Sequence, residues 1–154
     1  MSSLQNILWL TKGGTLYKLN FFLAKTDPET YSIDQFAKDG ITVWDGVTNA
    51  QALQAIRKMT KGDRVFIYHS MGTAAVVGVA DVARSARPGL VDPKLAVADF
   101  QFRCLVDPPV TLKELKDSHL FDDWSLVRQS RLSTMEAPMK FVQWMRDIRR
   151  GRRF

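Results

Sequence analysis

Residues Val97 to Val106 alternate without interruption, with Ala98, Phe100, Phe102, Cys104 and Val106 on one side and Asp99, Gln101 and Arg103 on the other. Successive side chains of a strand point to opposite faces, so this is a strand with one dry face and one wet face. Strands inside a parallel, doubly wound sheet are covered on both faces and lose such alternation. The pattern therefore predicts an antiparallel sheet with a single core side.

Other segments fill in an α+β order. Phe21 to Lys25 reads as a short buried strand stopped at Thr26-Asp27-Pro28, because the residue before proline is driven to extended geometry. Ser32-Ile33-Asp34-Gln35 has capping-box spacing and predicts a helix to about Lys38, ending near Gly40. Asn49 predicts the N-cap of a helix from Ala50 to Met59, with Leu53, Ile56 and Met59 inward. Strands follow at Arg64 to Ser70 and at Ala74 to Ala83, the latter holding Gly78, where a strand can bend or another backbone approach. Asp107-Pro108-Pro109 is expected to end the alternating strand, and Thr111 to Glu114 is a second capping box opening a helix to about Asp117. Arg131 to Met135 is expected to be a closing strand, and Pro138 to open a last helix with Phe141, Val142, Met145 and Ile148 inward. The sum is a small α+β domain, a curled or barrel-like sheet with short helices at its sides.

A chain of 154 residues fits one such domain. Its formal charge of +6 is carried at the ends: residues 1–20 have Lys12 and Lys18 and no acid, residues 146–154 have five Arg against Asp147, and the stretch between is neutral. Any attraction to phosphate would then come partly from the Arg-rich end. Residues 1–20 are expected to be a flexible extension, with an added β-hairpin or a targeting segment as the alternatives, and residues 149–154 a basic tail. The lone Cys104 excludes an internal disulfide framework and, within its strand, reads as a small buried hydrophobe. No apolar run approaches the roughly 18 residues that span a bilayer.

Catalytic signatures are missing. His69 precedes Ser70 directly, so on a strand the two point to opposite faces and cannot pair as base and nucleophile, and no Gly-x-Ser-x-Gly elbow occurs. The two histidines and one cysteine lack metal-ligand spacing, and dinucleotide and P-loop fingerprints are absent. The expectation is a non-enzyme without metal or cofactor. Residues 42–70 instead concentrate binding chemistry. Trp44 offers a flat apolar face, Asn49 a paired donor and acceptor, and Tyr68, His69 and Ser70 further polar groups, which together could line a pocket for a flat polar ring. A buried structural role for Trp44 and a purely capping role for Asn49 are the alternatives. Arg128-Gln129-Ser130-Arg131-Leu132-Ser133 strings donors that can pair with phosphate or base edges, or form a solvated loop.

The ordered set Lys25-Thr26-Asp27-Pro28-Glu29 with Tyr31-Ser32-Ile33, Trp44 to Asn49, Lys61 to Val65 with Tyr68-His69-Ser70, Val77 to Ala80, and Arg128 to Ser133 resembles the EVE domain over residues 21–148. The resemblance implies a PUA-like curled antiparallel β-barrel and a non-catalytic reader of a modified or flipped base in DNA or RNA. Carried over by position, it places Lys25, Thr26, Trp44, Val47, Asn49, Tyr68, His69, Ser70, Ser130, Leu132 and Ser133 around the base pocket. Arg128, Arg131, Arg149 and Arg150 are expected at phosphates. Phe22 stands where the family commonly has Trp, and Thr48 where it commonly has Arg, so an indole donor and a charge are missing there. The expected partner is nucleic acid, bound weakly by a monomer inside the cell, in the cytoplasm of a bacterium or the nucleus of a eukaryote. The alternative is a small-molecule or protein-interaction module on the same barrel.

Overall fold

In the computed structural model the described residues are 8–12 and 15–149, with side chains from residue 18 onward. Strands β1 (Leu8–Lys12) and β2 (Thr15–Leu19) pair antiparallel in a ladder of their own, in the stretch read from sequence as a flexible extension or an added hairpin. Leu19 is already part of the core, and the Arg64 amide donates to the Asn20 carbonyl.

The main sheet has six strands: β3 (Phe21–Thr26), β4 (Ile41–Trp44), β5 (Arg64–His69), β6 (Ala75–Pro88), β7 (Ala96–Thr111) and β8 (Thr134–Glu136), in the order β4-β7-β6-β5-β3-β8. It is mixed rather than antiparallel throughout. β3 lies parallel to β5, with Phe21 beside Arg64 and Thr26 beside His69. The connection accommodates this: helix α1 (Ile33–Asp39), β4 and helix α2 (Ala50–Arg57) are threaded between these strands, and parallel neighbours need a crossover of such length. The alternation read in β7 holds where it faces the core, since Ala98, Phe100 and Val106 are buried while Gln101 and Arg103 are exposed.

The prolines do not end β7, which runs on to Thr111. Between the pairs Gly78–Leu105 and Val76–Val110, β7 has four residues opposite Val77 alone, so Pro108 and Pro109 sit in a bulge where no ladder N–H is required. Helix starts follow their caps. Ser32 accepts from the Gln35 amide, Asn49 from the Ala52 amide and Thr111 from the Glu114 amide, the last opening α3 (Leu112–Asp117). A further short helix, α4 (Ser125–Arg128), lies in a stretch without helical periodicity, and α5 (Met139–Ile148) buries Phe141, Val142 and Met145.

Helices cover both faces of the sheet. Phe66 on one face meets Phe141 of α5 edge-on at 5.0 Å. On the other face α1 approaches Gly78 so closely that an added Cβ would stand 2.5 Å from Ile33 Cδ1. Among the described residues no helix is long and apolar enough to cross a membrane, and no His, Cys, Asp and Glu side chains cluster as a metal site.

Candidate functional site

The ends of β3 and β4, the 45–49 loop, Arg131 and Ser133 border an open cavity of about 670 Å³. Of the residues expected around a base, Lys25, Thr26, Trp44, Val47, Asn49 and Ser133 line it, and Arg131 stands at its rim. Its placement follows from local structure. Asp27 turns the chain after β3, its carbonyl accepting from the Thr30 and Tyr31 amides at 3.0 and 2.8 Å. That turn brings Tyr31 back over Thr26, whose hydroxyl donates to the Tyr31 carbonyl at 2.8 Å.

Trp44 forms the floor rather than a presented wall. It is 9% exposed, because Phe100 stacks under one face at 5.0 Å and 24°, and Tyr31 meets it at 70°. The position before Asp45-Gly46 suggested a ring near a loop. Its strand register opposite Ala98 instead turns it inward, and only a strip of indole reaches the cavity. Val47 is similarly buried. Asn49 lines the cavity; its Oδ1 is engaged as the α2 cap at 3.0 Å, and its Nδ2 has no hydrogen bond among the described residues.

Lys25 reaches across the sheet end: Nζ donates to the Ser130 carbonyl at 2.9 Å and lies 5.5 Å from the Tyr68 ring centroid. Burial lowers the pKa of its ammonium. Ser130 thus contributes backbone, while its exposed side chain stays outside the cavity.

Three expected pocket residues point elsewhere. Tyr68, next to Lys25 in register, is on the face opposite Thr26 and His69 and is buried, which raises its phenol pKa. His69 faces α1, where Nε2 accepts the Ile33 amide at 3.1 Å, and burial lowers its pKa against the opposing charges of Asp34 and Asp27. Leu132 is a core residue lining a separate cavity of about 620 Å³ on the far side of the same segment. Ser70 is exposed, and its amide and hydroxyl both bond the Thr26 carbonyl, at 3.0 and 3.4 Å, so it steadies the strand end.

Arg128 is exposed and outside the cavity lining. Arg149 is not a free tail residue: Nε donates to the Pro108 carbonyl at 3.0 Å, one terminal nitrogen to that of Pro109 at 3.3 Å, and Glu114 lies 3.6 Å away. The expectation for Arg150 lies outside the described residues. Tyr31, Thr42 and Thr48 line the cavity although spacing alone did not single them out. The Asp27-Pro28 turn signal was the available clue for Tyr31.

A mixed, helix-flanked sheet with a polar-mouthed cavity at its strand ends defines an α+β domain of the PUA-like class. The profile of the EVE domain matches residues 20–148, and the chain belongs to that family. Among named relatives, rat thymocyte nuclear protein 1 is 29% identical over 128 residues, covering 65% of this chain and 57% of the rat protein. The mouse protein is 28% identical over 146 residues, covering 77% of this chain and 64% of its own length. The chain therefore spans less than two thirds of those relatives. Among solved structures, a Rhodopseudomonas palustris protein superposes with a TM-score of 0.80 at 30% identity, covering 85% of this chain and 93% of that one. Human thymocyte nuclear protein 1, crystallised in complex with DNA containing 5-methylcytosine, superposes at 0.78 with 22% identity, covering 87% and 99%.

Proposed function

We propose that this chain is a non-catalytic reader that takes one extruded, modified base of DNA into the cavity above Trp44. The observation that carries the reading is the cavity itself. Its 670 Å³ falls within the range of small-ligand sites, and it joins an apolar floor of Trp44 and Val47 to edge-reading groups at Asn49 Nδ2, Thr42 and Ser133. The likeness to a human protein crystallised with 5-methylcytosine DNA supports a methylated pyrimidine as the first ligand to test.

An extruded base would seat its ring against the indole strip and Val47 and present its polar edge to Asn49 and Ser133. Arg131 at the rim would take a phosphate. Contact with an aromatic side chain contributes roughly 1–3 kcal/mol per base, while extrusion from a duplex costs a few kcal/mol. Affinity is then modest, and it rises when a modification adds an apolar group that fills the floor.

The test is a titration of the whole chain with matched oligonucleotides, unmodified or carrying 5-methylcytosine, 5-hydroxymethylcytosine or methylated adenine. Ser133→Phe, which fills the cavity from its half-buried rim, is expected to abolish discrimination among them. Equal affinity of the unaltered chain for every oligonucleotide would defeat the reading.

A further inference from the structure

Two turn aspartates of this chain spend their carboxylates on the turn itself. Asp27 Oδ1 accepts the Glu29 amide at 2.9 Å and Asp92 Oδ1 the Lys94 amide at 3.0 Å, each two residues on. Asp45 does not. Its turn is made by Gly46, at φ 76°, and its exposed carboxylate has no hydrogen bond or ion pair among the described residues. That carboxylate belongs to a residue lining the cavity above Trp44, so the turn explains the backbone at this position and leaves the side chain without a role.

Asp45 and Asn49 stand at the two ends of the 45–49 loop and have fixed, opposite hydrogen-bonding characters. An ionised carboxylate only accepts. A free asparagine amide can turn either end to a ligand, but Asn49 Oδ1 is held on the Ala52 amide at 3.0 Å, so a donor alone is left. The cavity lining thus includes one obligate acceptor and one obligate donor on a single short loop. Its charges balance, Lys25 and Arg131 against Asp27 and Asp45, which suits an uncharged heterocycle and leaves discrimination to hydrogen-bond polarity.

Resting on the base-reading proposal, we infer that Asp45 selects bases whose exocyclic amine adjoins an unprotonated ring nitrogen, the 4-amino edge of cytosines and the 6-amino edge of adenines. The amine donates to the Asp45 carboxylate, and the ring nitrogen accepts from Asn49 Nδ2. Thymine and hypoxanthine carry the reverse pair, an oxo group beside a ring N–H. In the same seat the oxo group meets the carboxylate and the N–H meets Nδ2, and neither side chain can invert to suit. To give its N–H to Asp45, thymine must shift by one ring position, which draws its methyl group off Trp44 and Val47. The methyl group adds affinity, and the amine supplies identity. 5-Methylcytosine and thymine share that methyl group, so the polar edge alone separates them.

The experiment measures the affinity of the full chain for duplexes identical but for one position, which carries 5-methylcytosine, thymine, adenine, hypoxanthine or no base. The opposite nucleotide is abasic throughout, so every base tested is unpaired. The unaltered chain is expected to favour 5-methylcytosine over thymine, and adenine over hypoxanthine, by roughly tenfold. Asp45→Asn puts an amide free to present either end at this position, so both ratios are expected to fall to within about threefold. Its melting temperature is expected to be unchanged, since Asp45 is exposed and unbonded. Loss of one negative charge raises affinity for every duplex alike, so the ratios are the readout. Equal affinity of the unaltered chain for 5-methylcytosine and thymine, both above the doubly abasic duplex, would overturn the amine selection and leave the base pocket standing. Affinity no higher for any base than for the doubly abasic duplex would overturn both. Full ratios retained in Asp45→Asn would overturn the role of Asp45.

Discussion

His69 at the end of β5 holds the first amide of α1: the Ile33 N–H donates to His69 Nε2 at 3.1 Å. The helix start therefore has two acceptors of different origin, since Ser32 takes the Gln35 amide. The bond requires an imidazole that is unprotonated on Nε2, and a charged ring would also oppose the positive end of the helix.

That geometry predicts a stability that depends on pH. Burial lowers the His69 pKa below its ordinary 6.5, so the folded state takes up the proton less readily than the unfolded chain. The contribution is fully present above about 6.5 and is lost as pH falls through the folded value. Urea midpoints are expected to stay level from about pH 8 to 7 and to fall on further acidification, with the fall reduced in His69→Gln and kept in His119→Gln. An unchanged pH profile in His69→Gln would show that other groups govern it.

Gly78 allows α1 to lie against the sheet. In Gly78→Ala the new methyl would meet Ile33 Cδ1 at 2.5 Å and the Cys104 carbonyl oxygen at 3.2 Å. A loss of about 1–3 kcal/mol is expected in chemical denaturation. Ile33→Val removes the closer atom, so the double variant should be less destabilised than the two single losses added together. Strict additivity would mean that the clash is with backbone.

Asn49 combines a structural and a proposed reading role in different atoms. Oδ1 caps α2, which leaves Nδ2 as the group of this cavity-lining residue that a ligand could engage. Asp is an equally good cap, so Asn49→Asp should hold the melting temperature while replacing a donor with a carboxylate. Asn49→Ala should cost about 1 kcal/mol of stability through the lost cap. If the proposed site is right, Asn49→Asp loses affinity for the modified base about tenfold or more despite its intact fold. Normal binding by Asn49→Asp would reduce Asn49 to its cap.

These relationships divide into those that local chemistry encodes and those that it does not. Ser32, Asn49 and Thr111 were readable as caps because each bond is made within three residues of its acceptor. The alternation of Val97 to Val106 was readable because one face of β7 is wet. The direction of β3 relative to β5 was not, since side-chain period says nothing about which strand lies alongside or which way it runs. Pro108 and Pro109 read as a break because sequence shows the missing donors but not the bulge that makes them unnecessary. At the candidate site the resemblance placed Trp44, Asn49, Thr26, Tyr68 and Leu132 around one pocket; the first three line it, whereas Tyr68 lies on the other face of β5 and Leu132 lines the cavity on the far side of its segment, because matching position in a family says nothing about which face a side chain takes.

Two of the four arginines that sequence placed at phosphates, Arg131 and Arg149, should separate in one salt titration. Arg131 is exposed at the cavity rim with no ion pair among the described residues. Neutralising one phosphate contributes about 0.9 to the slope of log affinity against log salt, so Arg131→Ala should flatten that slope by nearly one. Arg149 instead locks the end of α5 onto the proline bulge of β7 through the Pro108 and Pro109 carbonyls. Arg149→Ala should leave the slope unchanged and lower stability by about 1–2 kcal/mol, the scale of lost hydrogen bonds from a charged donor. A flattened slope in Arg149→Ala at unaltered stability would mean that nucleic acid draws the guanidinium off those carbonyls, and that the basic end of the chain is part of the interface.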